Sequence, residues 1–285
     1  MKIKSKTKKE LLYLTLALPS LLGLLVFFIV PFVYALYLAM IDNPLARNFV
    51  GFGNFTLTIN NAAFRLAASN TLRFIALCVP INVALSLAIA MRLRNIPFKG
   101  LFSAVFMLPL VVPSGSIVHF WRSIFGLNGV INSLFFSAAP VNWISSGYAL
   151  HIITLIFIWK NIGFNIILFQ AGLSQIPREY YEVAAIEGAG RFRQIISVTL
   201  VHLMPTMFLV LLMSFIATFR SFREIYLLAG THPHRSIYML QHFMNNQFVA
   251  LDYQRMASAA YILVALITAL ALGLLFLQRR VANYD

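Results

Sequence analysis

The chain has 285 residues, of which 60% are hydrophobic and 11% charged, with a formal net charge of +14. A soluble domain carries about one quarter charged residues because its surface faces water, so this composition makes lipid the solvent for much of the molecule. The positive charge does not mark a nucleic-acid-binding face, because it collects between apolar runs: Lys2, Lys4, Lys6, Lys8 and Lys9 precede the first, Arg92, Arg94 and Lys99 separate two others, and Arg279 and Arg280 follow the last.

Six spans of the length a bilayer requires are predicted, making one all-α transmembrane domain over residues 1–285. The first covers about 11–41, with Pro19 and Pro31 as points of kinking. It is uncharged throughout, too long for a signal peptide and without a clear cleavage site, so it is read as a retained helix. A polar connector leads to the second span, 70–91, which holds Cys78; as the only cysteine it permits no intrachain disulfide. After the basic turn comes the third span, 101–120, with Pro109 and Pro113. Residues 126–147 collect Gly, Asn, Ser and Pro and read as a loop with one short surface helix. The fourth span, 148–173, is interrupted by Lys160; the fifth is 202–222 and the sixth 256–277. With the N-terminus in the cytoplasm, thirteen Lys and Arg fall inside and eight outside, which places both termini in the cytoplasm.

Between spans four and five lies an amphiphilic loop, about 174–201. Pro177 suits the first turn of a helix there, and Glu179 and Glu182 suit its positive end. Ala184, Ala185, Gly188 and Ala189 recur at helical spacing as a small-residue face, which lets another protein approach the backbone. Gly188 and Gly190 offer a bend before Arg191 and Phe192 open a second helix.

These residues resemble the coupling loop of binding-protein-dependent ABC importer permeases. Glu182, Ala184, Ile186, Gly188, Ala189, Leu200 and Pro205 match that family's pattern, while Val183, Glu187 and Val201 replace its usual alanine, aspartate and proline. Residues 49–55, Asn70-Thr71-Leu72, Leu108-Pro109 with Pro113, Trp121-Arg122 and Gly129 to Asn132 are similar to the sugar-importer branch, which includes maltose-type and glycerol-phosphate-type systems. Residues 229–234 depart from the Gly-Gly-Pro turn usual in that branch. The resemblance implies the type I importer permease fold in a bacterial cytoplasmic membrane, with a larger-subunit-like chain. It implies a second permease, two ATPases that hold ATP and Mg, an extracytoplasmic sugar-binding protein, and no cofactor on this chain. Coupling to the ATPases would fall to Glu182, Ala184, Ala185, Glu187, Gly188 and Ala189.

A sugar needs hydrogen-bonding groups and flat apolar faces shielded from lipid. Asn161 and Asn165 share a face of span four, and Ser214, Thr218 and Ser221 form a stripe on span five. Ser114 follows Pro113, where a break frees carbonyls toward a cavity. Similarity to the maltose-type larger subunit implies Ser114, Asn161, Phe164, Met213, Ala217 and Arg220 near the pore. For Asn161, Asn165 and Ser214 the other reading, polar glue between helices, stands beside this one. Lys160 is either functional or a snorkelling side chain, the second being favoured. Arg220 and Glu224, four apart, read as a gate, a binding-protein contact or a helix-end ion pair. His232, His234 and His242 lack the cysteine or carboxylate company of a metal site and read as a polar outer loop.

Two rival functions are open to a membrane chain of this composition. An ion-coupled secondary transporter needs acids buried in the membrane, and every acid here is expected in a loop or at a span end. A membrane enzyme is disfavoured because no metal motif, nucleophile elbow or paired carboxylates is found. The chain also lacks a phosphate-binding loop, so any ATP hydrolysis belongs to separate subunits.

Overall fold

The computed structural model describes residues 13, 15–94 and 96–282. The lysines at 2–9, Glu10, the leucines at 11, 12 and 14, Asn95 of the basic turn and Asp285 lie outside them. Helices make up the fold: α1 (Thr15–Ala39), α2 (Gly53–Asn60), α3 (Ala62–Leu93), α4 (Lys99–Val111), α5 (Ser114–Phe125) and α6 (Val130–Phe135) come first. They are followed by α7 (Ala149–Ser174), α8 (Arg178–Ile186), α9 (Arg191–Ala229), α10 (Leu240–Val249) and α11 (Tyr253–Ala282). The described residues contain no named strand, only an isolated bridge between Ile41 and Phe49.

Five helices, α1, α3, α7, α9 and α11, are long and apolar enough to cross a membrane, and a sixth span arises if α4 and the segment after it are counted together. That sixth is not the single span expected over 101–120, because its two parts meet at 96°. Pro113 causes the break. Its ring disfavours helix for the residue before it, and Val112 is extended at φ −67°, ψ 131°. Pro31 is handled differently: a π-helical turn at Leu25–Ile29 widens the backbone ahead of it and α1 continues. Another π turn, Ile195–Leu200, precedes Pro205 in α9. The fifth span therefore does not begin at 202; its helix already starts at Arg191.

The described residues fall into two compact units, one within Met1–Phe64 and Met244–Val264, the other within Arg65–Phe243 and Ala265–Asp285. In the smaller unit, Asn54 donates from Nδ2 to the carbonyls of Ala39 (3.0 Å) and Ile41 (2.7 Å), and Thr58 and Ser258 share a buried hydroxyl contact of 2.7 Å. The larger unit is organised around α7, the most deeply buried span. Two glycines let its neighbours come close. A Cβ on Gly163 would lie 2.0 Å from the Phe106 carbonyl oxygen of α4, and one on Gly172 would lie 2.5 Å from Thr206 Oγ1 of α9. Such backbone-to-backbone packing is how helices associate where lipid supplies no hydrophobic drive.

Residues of the sugar-importer pattern stitch the loops of this unit. Asn70 donates from Nδ2 to the carbonyls of Arg235 (2.6 Å) and Tyr238 (2.9 Å), and Thr71 Oγ1 accepts from Leu240 N. Arg122 reaches the carbonyls of Leu227 and Leu228, which satisfies part of the C-terminal end of α9. Asn132, buried, donates to Gly126, Leu127 and Val141 and accepts from Trp143 Nε1, holding the loop expected over 126–147 together.

Candidate functional site

The loop after α7 is a short helix with built ends. Pro177 is its N-cap and Glu179 lies in its first turn. At the other end Gly188 takes φ +81°, the Ala189 N–H donates to the Ala184 carbonyl at 2.8 Å, and the Gly188 N–H donates to Ala185 at 3.0 Å. This pair of bonds closes a Schellman motif, which needs a left-handed residue at the glycine. Tyr181 OH and Thr199 Oγ1 (3.1 Å) tie α8 to α9, Gln194 Nε2 donates to the Ala189 carbonyl at 3.0 Å, and the Arg94 guanidinium sits 4.8 Å from the Tyr181 ring centre.

The predicted small-residue face is split by this geometry. Ala184 is buried in the bundle's own core and Ala189 packs partly against it, while Ala185, Gly188, Glu182 and Glu187 are exposed. The reason is the helix period, which turns Ala184 toward α9, sets Tyr180 one turn before it against the His202 ring at 4.6 Å, and leaves Val183 and Ile186 outermost. Val183 and Ile186 are 54% and 87% exposed. The surface open to a partner therefore joins these two bulky apolar side chains to Ala185 and Gly188, with Ala184 on the anchoring side.

Inside the bundle the polar residues segregate. Ser114 Oγ donates to Glu224 Oε1 at 2.6 Å, and Lys160 Nζ pairs with the same oxygen. Glu224 is buried, at the end of the fifth span. Its partner is Lys160 on α7; Arg220 is exposed and makes no ion pair with it. Lys160 and Glu224 border a small cavity of about 20 Å³ together with Ser221 and Trp121, whose Nε1 is buried without an acceptor. That volume holds about one water molecule. Phe120 and Trp159 stack at 5.8 Å beside it, and Trp121 meets Trp159 edge-on at 5.4 Å.

Asn165 donates from Nδ2 to Ser214 Oγ at 2.8 Å, and both are buried, so this pair joins α7 to α9. Asn161 lies half-buried, donating to the Phe157 carbonyl one turn back at 2.9 Å. Phe164, Met213 and Arg220 are exposed and Ala217 half-buried, with 213, 217 and 220 on one face of α9. Sequence reasoning missed the Lys160–Glu224 pair and the close approach at Gly163. A lysine in an apolar span is itself a signal, because it demands an acid at matching depth.

The three histidines do not converge. His232 meets Thr231, His234 meets Ser236, and His242 Nδ1 accepts the Met239 N–H at 3.2 Å. His242 is fully buried among Phe222, Tyr226 and Tyr238, and burial pushes its pKa down to about 4. In the exposed loop before α2, the Asn48 side-chain amide donates to Asp42 and holds its carboxyl below the ordinary value, burial opposing.

The sequence pattern of the binding-protein-dependent transport system inner membrane component matches residues 81–283. The chain is 33% identical to the arabinooligosaccharide transport system permease protein of Bacillus subtilis strain 168, over 95% of this chain and 89% of that one. It is 27% identical to the lactose transport system permease protein of Rhizobium radiobacter, over 89% of each. In fold it is similar to a chain of a bacterial alginate ABC transporter, solved in complex with an alginate pentasaccharide-bound periplasmic protein. The TM-score is 0.83 at 20% identity, with 99% of this chain and 98% of that one covered. An all-helical chain with five or six apolar spans, a capped helix between the fourth and fifth, and these matches over most of its length belongs to the family of binding-protein-dependent transport system inner membrane components.

Proposed function

We propose that this chain is one permease subunit of an ATP-driven importer, passing a sugar or oligosaccharide from an extracytoplasmic binding protein into a bacterial cytoplasm by alternating access. The family membership and the arabinooligosaccharide and lactose relatives support a sugar. The partners are a second, homologous permease, two ATPase subunits that hold ATP and Mg, and the binding protein. Both termini lie in the cytoplasm, together with α8.

The observation that carries this reading is the build of α8. One face is anchored in the bundle through Tyr180, Tyr181 and Ala184, and the other presents Val183 and Ile186. A helix held on one side and apolar on the other transmits a push from whatever docks on it to α7 and α9 as rigid bodies. Glu182, Glu187, Ala185 and Gly188 flank that surface. In this reading Phe164, Met213, Ala217 and Arg220 line the sugar path with Asn161; their accessibility supports it, whereas Asn165 and Ser214 satisfy each other. Ser114 acts through Glu224. The pairing of Glu224 with Lys160 argues against an ion relay, which needs a carboxylate free to change partners.

Reconstitution with its partner subunits in proteoliposomes tests this. ATP-dependent uptake of a labelled arabinooligosaccharide or disaccharide is expected to require every subunit, and Ile186→Glu is expected to abolish uptake and stimulated hydrolysis while the chain still inserts. Uptake by this chain alone on an ion gradient would overturn the proposal.

A further inference from the structure

A second, far larger cavity lies at the α8 end of the bundle, away from the Lys160–Glu224 pair. It measures about 880 Å³ and opens between the end of α3, the start of α4, the end of α7 and the start of α8. Arg94, Lys99 and Arg178 line it, with Glu182 as the one carboxylate, so its walls carry three cations against one anion. Among the described residues none of these four is in an ion pair. Arg94 is held in place over the Tyr181 ring.

Two further features favour an anion. The cavity receives the N-terminal turns of α4 and α8, whose first N–H groups have no intrahelical acceptor. At its inner wall, Gln170 Oε1 lies 2.9 Å from the buried Ser103 hydroxyl, which also meets the Lys99 carbonyl at 2.8 Å, and Gln170 Nε2 is buried with no acceptor. A pocket of basic side chains between spans, at the polar end of a bundle, is what an anionic headgroup requires. Apolar Ala90, Leu173 and Ile176 complete the wall, so an acyl chain beside the phosphate meets hydrocarbon.

We infer that this cavity is a binding site for a phosphate-bearing anion, held by Arg94, Lys99 and Arg178. Occupation bridges the α3–α4 turn to the start of α8, so the ligand stiffens the base of the docking helix. The consequence for transport rests on the role proposed above for α8; the binding itself does not. The shared chemistry is a phosphate mono- or diester, supplied by an anionic phospholipid of the adjoining leaflet or by free phosphate.

The full-length chain in nanodiscs separates the sources. In mixed phosphatidylcholine and phosphatidylglycerol, native mass spectrometry is expected to show phosphatidylglycerol retained preferentially. Lys99→Gln, an exposed and unpaired position, and Arg178→Gln should each reduce that preference about fivefold, the effect of one cation near a charged surface. Arg191→Gln, on the start of α9 and outside the cavity lining, controls for general surface charge, and its loss of preference should be smaller than that of either cavity variant. In phosphatidylcholine alone, stabilisation of wild type but not Lys99→Gln by inorganic phosphate would assign the site to the free anion. Lipid retention indifferent to Lys99 and Arg178, together with no stabilisation by phosphate, would overturn the inference. None of these readouts needs the partner subunits, so failure of transport alone leaves the result standing.

Discussion

Glu224 Oε1 receives the Ser114 hydroxyl and the Lys160 ammonium together, and so joins the start of α5, the middle of α7 and the end of α9 through one buried carboxylate. Removing one partner of a buried pair leaves the other charge uncompensated, whereas removing both with apolar residues of similar volume is often neutral. Glu224→Gln is therefore expected to lower stability by about 3–5 kcal/mol, and Lys160→Met with Glu224→Leu to recover most of it. Thermal unfolding in detergent checks this; equal damage from the single and double variants would show that the pair itself does not hold the three helices.

Gly163 and Gly273 make a matched test of helix packing. A Cβ at 163 would collide with the Phe106 carbonyl, while one at 273 meets nothing within 4 Å. Gly163→Ala should cost several kcal/mol because backbone must move, and Gly273→Ala should be neutral or stabilising by up to about 1 kcal/mol from helix propensity. Yield of folded protein and midpoint of unfolding report both.

The left-handed glycine separates coupling from folding. Gly188→Ala finds open space but must hold φ +81°, a strain of about 1–2 kcal/mol confined to the end of α8. Gly190→Ala, at an ordinary φ of −65° and also in open space, should be silent. Expected is weaker stimulated ATP hydrolysis in the first variant with unchanged unfolding of the bundle, and wild-type behaviour in the second.

His242 predicts a pH response outside the spans. Its folded-state pKa, about 4, lies below the ordinary 6.5, so the unfolded chain binds the extra proton between those values. The stabilisation from burying the neutral ring is complete above pH 6.5 and is lost as pH falls toward 4. At pH 5 the loss is about 2 kcal/mol. Hydrogen exchange around α10 should accelerate from pH 7 to 5 after correction for intrinsic rates, and His242→Phe should flatten that dependence.

The long apolar helices were legible because a bilayer imposes its own length on any apolar run, and Ala149–Ser174 reads directly from the chain. Helix α8 was legible for a similar reason: Pro177, Glu179 and Gly188 are local signals that act within one or two turns. The outward face of that helix was legible in part: Ala185 and Gly188 are exposed, while Ala184 is buried against the bundle. Alanine and glycine look like a docking surface in one dimension, yet which side of a short helix meets its own bundle depends on where α9 passes.

The bent third span marks the same boundary. Two prolines announced a disturbance, and only the packed structure assigns the 96° turn to Pro113 and leaves Pro109 inside a continuous helix. Proline removes a donor and restricts its neighbour wherever it occurs, and surrounding contacts determine whether the helix bends around it or stops.

Composition, basic clusters and cap residues by themselves determined that this protein lives in a membrane, where its long apolar helices run and where a short capped helix interrupts them, because solvent and backbone geometry act on each segment separately. The Lys160–Glu224–Ser114 junction, the contact at Gly163 and the charged cavity below Gln170 were decided only by tertiary structure. Each joins residues dozens of positions apart, and a charge or a missing Cβ takes its meaning from what another helix brings to face it.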